Sequence, residues 1–157
     1  MTETPLARQT ILAVLPAGED STSLRTILAQ SNWKVRLART FRDARRALRT
    51  LPGVVISERE LPDGQRWQDL LLELQKMPCP PPLIVADRLA DDRLWGEVLN
   101  LGAHDLLVKP FDAKEVVHVI SAAFRRAENE QRAALPRIKP LGYATAAGSS
   151  TTRASTG

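Results

Sequence analysis

The sequence predicts an α/β fold: a doubly wound parallel sheet of five strands with helices on both faces. Two observations carry that expectation. Five short stretches read as strands: Thr10 to Leu15, Trp33 to Ala38, Gly53 to Ser57, Leu83 to Ala86 and Asp105 to Val108, the first a compact apolar run. Each is followed by a stretch with apolar residues at helical spacing, and regular alternation of strand and helix is the pattern of βαβ units. With 157 residues the chain can bury roughly two thirds of its unfolded surface, enough for one domain with a substantial core.

The elements follow in order. Met1 to Gln9 is polar and without period, and residues 1–9 are expected to form a flexible arm. The first strand is stopped by Pro16, Ala17 and Gly18. Asp20 or Ser21 can cap a helix carrying Leu24, Ile27 and Leu28 on one side. After the second strand, Thr40-Phe-Arg-Asp43 resembles a capping box and leads into a helix with Phe41, Ala44, Leu48 and Leu51 inward. Arg42, Arg45, Arg46 and Arg49 fall on its other side.

The third strand runs into Glu58, and Pro62-Asp63-Gly64 has the chemistry of a turn. Trp67, Leu70, Leu71 and Leu74 supply the third helix with its core stripe, which Pro78 to Pro82 cannot continue. A fourth helix is expected over about Leu89 to Leu101, ended by Gly102, with Leu94, Val98 and Leu101 as its stripe and Trp95 and Leu99 beside it. The last strand ends at Lys109-Pro110. Proline disfavours the helical region for Lys109, so the lysine is held in extended or turn geometry at a strand's carboxyl end, where such sheets place their sites. Asp112-Ala-Lys-Glu115 then starts a helix marked by Val116, Ile120, Ala123 and Phe124. The domain is expected over 10–130, with 131–157, rich in Ala, Gly, Ser, Thr and Pro, as a disordered tail or linker.

The formal charge of +4 is unevenly spread, because Arg25 to Arg49 carries eight basic residues against Asp43 alone. No apolar run reaches the roughly 20 residues of a membrane helix and no signal peptide is visible, so a soluble, cytoplasmic protein with no membrane role is expected. Cys79 is the sole cysteine, which excludes an internal disulfide. His104 and His118 have no ligand partners at metal-binding spacing.

The run Gly102-Ala-His-Asp-Leu-Leu-Val-Lys-Pro-Phe111 and the loop Glu58-Arg-Glu-Leu-Pro-Asp-Gly64 resemble the response-regulator receiver family of bacterial two-component signalling. The resemblance covers about residues 9 to 128 and implies a flavodoxin-like (βα)5 sandwich with strand order 2-1-3-4-5. It also implies a phosphoacceptor aspartate after strand three, an acidic pair binding Mg²⁺ after strand one, a hydroxyl residue after strand four and a lysine after strand five. The lysine is Lys109, followed by Pro110. Elsewhere this chain departs: Glu58 stands at the phosphoacceptor position, Leu15 and Pro16 at the acidic pair, Asp87 at the hydroxyl residue and Leu106 at the switch aromatic. Leu15 and Pro16 offer no side-chain oxygen to Mg²⁺, and an ionised Asp87 would repel a phosphate. Glu19 and Asp20 fall too late, at the start of the next helix.

No catalytic residue, metal or cofactor is therefore expected, Mg²⁺ included. Glu58 can reach Lys109 and mimic part of a phosphorylated state, so a bridge from Lys109 to Glu58 or Asp87 is expected. The alternatives are a solvated carboxylate pair, or a divalent cation on Glu58 and Asp87. Trp95 and Leu99 suit a protein interface if exposed, or a wide core stripe if not. The implied reading is a pseudo-receiver, not an enzyme, acting as a phosphorylation-independent protein-interaction module. Its partner would be a histidine kinase or output protein, or a second copy through helix 4, strand 5 and helix 5. A second reading is a nucleic-acid-associated transcriptional regulator using the basic second helix and tail; an enzyme comes third, since no nucleophile-base pair or phosphate-cradling glycine loop is visible, and a phosphorylatable receiver comes last.

Overall fold

A computed structural model describes residues 9–89 and 91–134. Almost all of the expected arm and tail lies outside the described residues. The strands are β1 (Thr10–Val14), β2 (Lys34–Ala38), β3 (Val54–Glu58), β4 (Leu83–Asp87) and β5 (Asp105–Val108). The helices are α1 (Glu19–Leu28), α2 (Phe41–Ala47), α3 (Trp67–Gln75), α4 (Asp92–Leu101) and α5 (Ala113–Ala134). All neighbouring strands pair in parallel in the order β2-β1-β3-β4-β5. This is the doubly wound sheet that the alternation predicts.

The inner strands β1, β3 and β4 read as largely apolar runs because helices cover both faces of the sheet, whereas the edge strand β2 alternates exposed and part-buried residues. Alternate residues separate into two cores. Leu12, Val14, Val55, Val85 and Leu106 pack under Ala44, Trp67, Leu70, Leu74, Leu94 and Val98 on the α2, α3 and α4 side. Ile11, Ala13, Ile56, Ile84 and Leu107 pack under Leu24, Leu28, Val116, Ile120 and Ala123 of α1 and α5. Register lines up the carboxyl ends: Val14 lies beside Ser57, Glu58 beside Ala86, and Asp87 beside Val108.

Helix ends differ from expectation where backbone geometry overrides composition. Gly18 caps α1, not Asp20 or Ser21: its φ of 155° is open to glycine, and the Ser21 hydroxyl donates to its carbonyl at 3.0 Å. Thr40 caps α2 as expected, its hydroxyl accepting the Asp43 N–H at 3.1 Å. Asp63, in the turn after β3, adds a second cap by accepting the N–H groups of Phe41 and Arg42 at 3.1 and 3.2 Å. Leu51 is no core residue. The helix tightens to a 3-10 turn over Leu48–Thr50, and Leu51 follows in left-handed geometry, 61% exposed.

Asp91 caps α4 through the Leu94 N–H, so the helix starts at Asp92 and not near Leu89. Leu101, its last residue, is exposed and leaves the stripe. At the other end of the domain α5 continues to Ala134, past the boundary placed at 130. Good helix formers and the Arg126–Glu130 ion pair at 3.0 Å carry it on.

Candidate functional site: the carboxyl ends of the strands

β3 runs one residue further than its apolar composition suggests, so Glu58 is its final residue and not the first of the loop. Its side chain points into the sheet's carboxyl edge, and both Glu58 and Lys109 are nearly fully buried. The Lys109 ammonium donates a hydrogen bond to Glu58 Oε2. It also lies 3.1 Å from Asp20 Oδ2.

That second contact corrects the sequence reading, which set Asp20 aside as belonging to the next helix. It does belong to α1, but the Gly18 cap starts the helix so soon after β1 that its first turn overhangs the strand ends. The other expected partner, Asp87, does not pair with the Lys109 ammonium. Its carboxylate is 3.5 Å from Arg59 and accepts the Leu89 N–H at 3.2 Å, while its carbonyl accepts the Lys109 N–H at 3.1 Å. Arg88 reaches Asp20 at 3.4 Å.

Three acids and three bases thus alternate at the carboxyl edge of the sheet, from the ends of β3 and β4, the first turn of α1 and the residues just past β3, β4 and β5. Sequence reasoning sets Asp20 aside and misses Arg59 and Arg88. A signal for the arginines was available, since each strand-end acid is followed at once by one: Glu58-Arg59 and Asp87-Arg88. The pairing is crossed, with Arg59 serving Asp87 and Arg88 serving Asp20, and neighbours in sequence cannot reveal that.

Burial raises the Glu58 carboxyl above its ordinary range; the Lys109 hydrogen bond and charge pull the other way without overcoming it, and Asp20 and Asp87 add to the rise. The ion-pair geometry and this direction are compatible, because the pair must repay desolvation before it can lower the carboxyl. The folded Glu58 binds its proton more tightly than the unfolded one. Its stabilising contribution is therefore fully present below the unfolded value of 4.5 and is lost as pH rises through the folded value. Urea unfolding of the natural protein and Glu58→Gln across this range is expected to show the natural protein losing stability relative to the variant as pH climbs. A constant difference would deny the raised carboxyl.

The remaining sequence-predicted residues occupy two environments. Leu15 is 1% exposed in the α1 and α5 core, and Leu106 is buried under α3 and α4, so neither faces the cluster as a polar group would. Pro16 and Pro110 are exposed, and a cis peptide joins Pro110 to Lys109. The donor set does not fit Mg²⁺. Leu15 and Pro16 bring no side-chain oxygen, and Glu58, Asp20 and Asp87 each already face a cation of this chain. Among the described residues no group of three or more His, Cys, Asp or Glu is arranged to hold a metal.

Two surfaces lie away from the cluster. Trp95 is 50% exposed, and Leu99 is also exposed. Glu97 accepts a hydrogen bond from Gln68 of α3 at 3.0 Å, and Trp95 and Leu99, each two residues from it, turn to the opposite side of α4, toward the β5 edge. Val108 of β5 is exposed as well. Arg42, Arg45, Arg46 and Arg49 all lie in solvent. They are not equivalent, because Arg45 is 3.5 Å from Glu73 and its guanidinium stands 6.0 Å above the Phe41 ring.

No protein-family model matches the chain. Over 110 residues it is 33% identical to the transcriptional regulatory protein FixJ of Bradyrhizobium diazoefficiens, an alignment covering 68% of this chain and 52% of FixJ. The chain thus spans about half the length of that curated relative. Its fold is similar to the signal receiver domain of a protein described as a Luxo repressor from Vibrio parahaemolyticus, with TM-score 0.68 and 26% identity over 79% of this chain and 95% of that one. It is also similar to a protein described as a response regulator from Chloroflexus aurantiacus, with TM-score 0.68 and 24% identity over 74% and 98% of the two chains. No helix of the described residues is long and apolar enough to cross a membrane. The sheet order and these likenesses in sequence and fold agree with the strand-five motif, and the chain belongs to the response-regulator receiver family, a domain of signal transduction.

Proposed function

We propose that this receiver works as a pseudo-receiver, a protein-interaction module that signals without phosphorylation and without Mg²⁺. The observation that carries the reading is the state of Lys109: its ammonium is already engaged by Glu58 and Asp20 of the same chain. A lysine that would otherwise read a phosphoryl group is thereby committed to an internal anion. Transfer of a phosphoryl group depends on neutralising the charge that develops on it, and the strand-one residues Leu15 and Pro16 contribute nothing to that. Asp87 adds a negative charge where a donor would be needed.

The output of such a domain is a surface. Trp95, Leu99 and Val108 supply an apolar, aromatic-centred patch along α4 and the β5 edge, the composition that anchors protein interfaces. Its partner would be a protein of a signalling pathway, such as a histidine kinase or an output protein, or a second copy of the chain.

One experiment addresses both halves. The protein is incubated with acetyl phosphate and Mg²⁺, its intact mass is measured, and its self-association is followed by sedimentation with and without the donor. The expected result is an unmodified mass, with association unchanged by the donor and weakened in Trp95→Ala, whose thermal stability stays near that of the natural protein. Gain of one phosphoryl mass that is lost in Glu58→Gln would overturn the reading. Unfolding of Trp95→Ala would return Trp95 to the core.

A further inference from the structure

The tertiary structure joins charges that the sequence spreads over two elements. β2 is an edge strand whose Val35 and Leu37 pack into the α1 and α5 core, whereas Ala38 packs with Ala44 and Leu48 beneath α2. Side chains alternate along a strand, so Lys34 and Arg36, in phase with Ala38, stand on the α2 side of the sheet. Both are exposed, as is Arg39 in the connection to α2. Arg42, Arg46 and Arg49, three and four residues apart, are exposed on α2 and the 3-10 turn after it.

These six cations take part in no ion pair among the described residues. The acids nearby are few. Asp43 is exposed in the first turn of α2, Asp63 spends its two oxygens on the Phe41 and Arg42 amides, and Glu73 faces Arg45 and Lys76. An uncompensated patch of this kind costs the fold a little through self-repulsion, and a polyanion removes that cost.

The chemistry of the patch selects among polyanions. From Lys34 to Arg49 no large apolar side chain is exposed, and the exposed leucine that follows, Leu51, is no aromatic, so this stretch lacks the aromatic centre that anchors protein partners. Phe41 is only part-exposed and lies beneath Arg45, so no free aromatic is offered on which single-stranded bases could stack. Duplex backbone requires neither, since it is bound by cations alone. Arginine is the dominant type here, and its planar fork suits phosphate oxygens. We propose that the β2 edge and α2 form a docking surface for the phosphate backbone of a nucleic-acid duplex, bound without regard to base sequence. This surface is separate from the Lys109 cluster and the Trp95 patch, and it operates whether or not the proposed signalling mode holds.

The test uses the full chain and two labelled DNA duplexes of unrelated sequence, followed by fluorescence anisotropy. Both duplexes are expected to bind alike, and for three phosphate contacts the affinity should fall about 40-fold between about 50 mM and about 200 mM salt. Reversing Arg42, Arg46 and Arg49 together to Glu should abolish binding, and the milder Arg→Gln set should weaken it. Reversing Lys114 and Arg125 to Glu on α5 should leave it unchanged. If the Glu set fails to fold by circular dichroism, the Gln set decides. No binding at low salt, binding indifferent to salt, or equal binding by the Gln set would overturn the proposal. Preference for a single strand would overturn it as well, and polyglutamate bound as tightly as the duplex would assign the surface to an acidic protein.

Discussion

Replacing Lys109 with alanine is expected to cost the fold about 3–5 kcal/mol, since removal of one partner of a buried ion pair leaves the other charge uncompensated. In a domain of this size each kcal/mol moves the melting temperature by about 2–4 °C, so a fall on the order of 10 °C is anticipated. The reasoning is local. Glu58 is nearly buried and is held by Lys109, while Asp20 retains Arg88 as a second cation. The damage should therefore concentrate on Glu58, and adding Glu58→Gln to Lys109→Ala should restore much of the loss. A double-mutant cycle by thermal melting measures that coupling. A single-mutant loss below about 1 kcal/mol would mean the pair is solvated and contributes as a surface bridge does.

The second large effect is expected at Leu15. Leu15→Asp places at β1's end the acid that the receiver pattern would have there, and it should destabilise the protein by at least about 3 kcal/mol. Leu15 is 1% exposed within the α1 and α5 core, so the change removes a packed leucine and asks that core to accept a carboxylate. Lys109 is not free to compensate the new acid, because it is already shared by Glu58 and Asp20. Urea unfolding with and without Mg²⁺ provides the measurement. Tolerance of the aspartate, or its rescue by Mg²⁺, would show that the position still belongs to a polar site and would undermine the metal-free reading.

Both expectations rest on residues visible in the sequence, but legible there to different degrees. Lys109 could be identified from its place before Pro110 at the end of an apolar run, and Glu58 from its place after another. What each touches was less legible. The sequence expectation allowed Lys109 either Glu58 or Asp87. The structure pairs its ammonium with Glu58 and Asp20, and gives the Asp87 carboxylate to Arg59. Sequence reasoning sets Asp20 aside because its position in chain order, after a glycine and inside a helix, says nothing of how far the first turn overhangs the neighbouring strand ends. Leu51 and Leu101 were misassigned to the core for a related reason. The ideal 3.6-residue period does not hold through helix ends that tighten or stop, so the side chains there rotate out.

By itself the sequence determined the alternation of strands and helices, the burial of the inner strands, and the absence of side-chain oxygens at Leu15 and Pro16. These depend on residue type and short-range period, which are local properties of the chain. Only the tertiary structure decided the crossed ion pairs of Arg59 and Arg88, the entry of Asp20 into the cluster, the exposure of Trp95, and the union of Lys34 and Arg36 with the arginines of α2. Each of those depends on which elements become neighbours once the sheet is wound in the order 2-1-3-4-5. Charges far apart along the chain then meet at one edge, and no local pattern encodes that meeting.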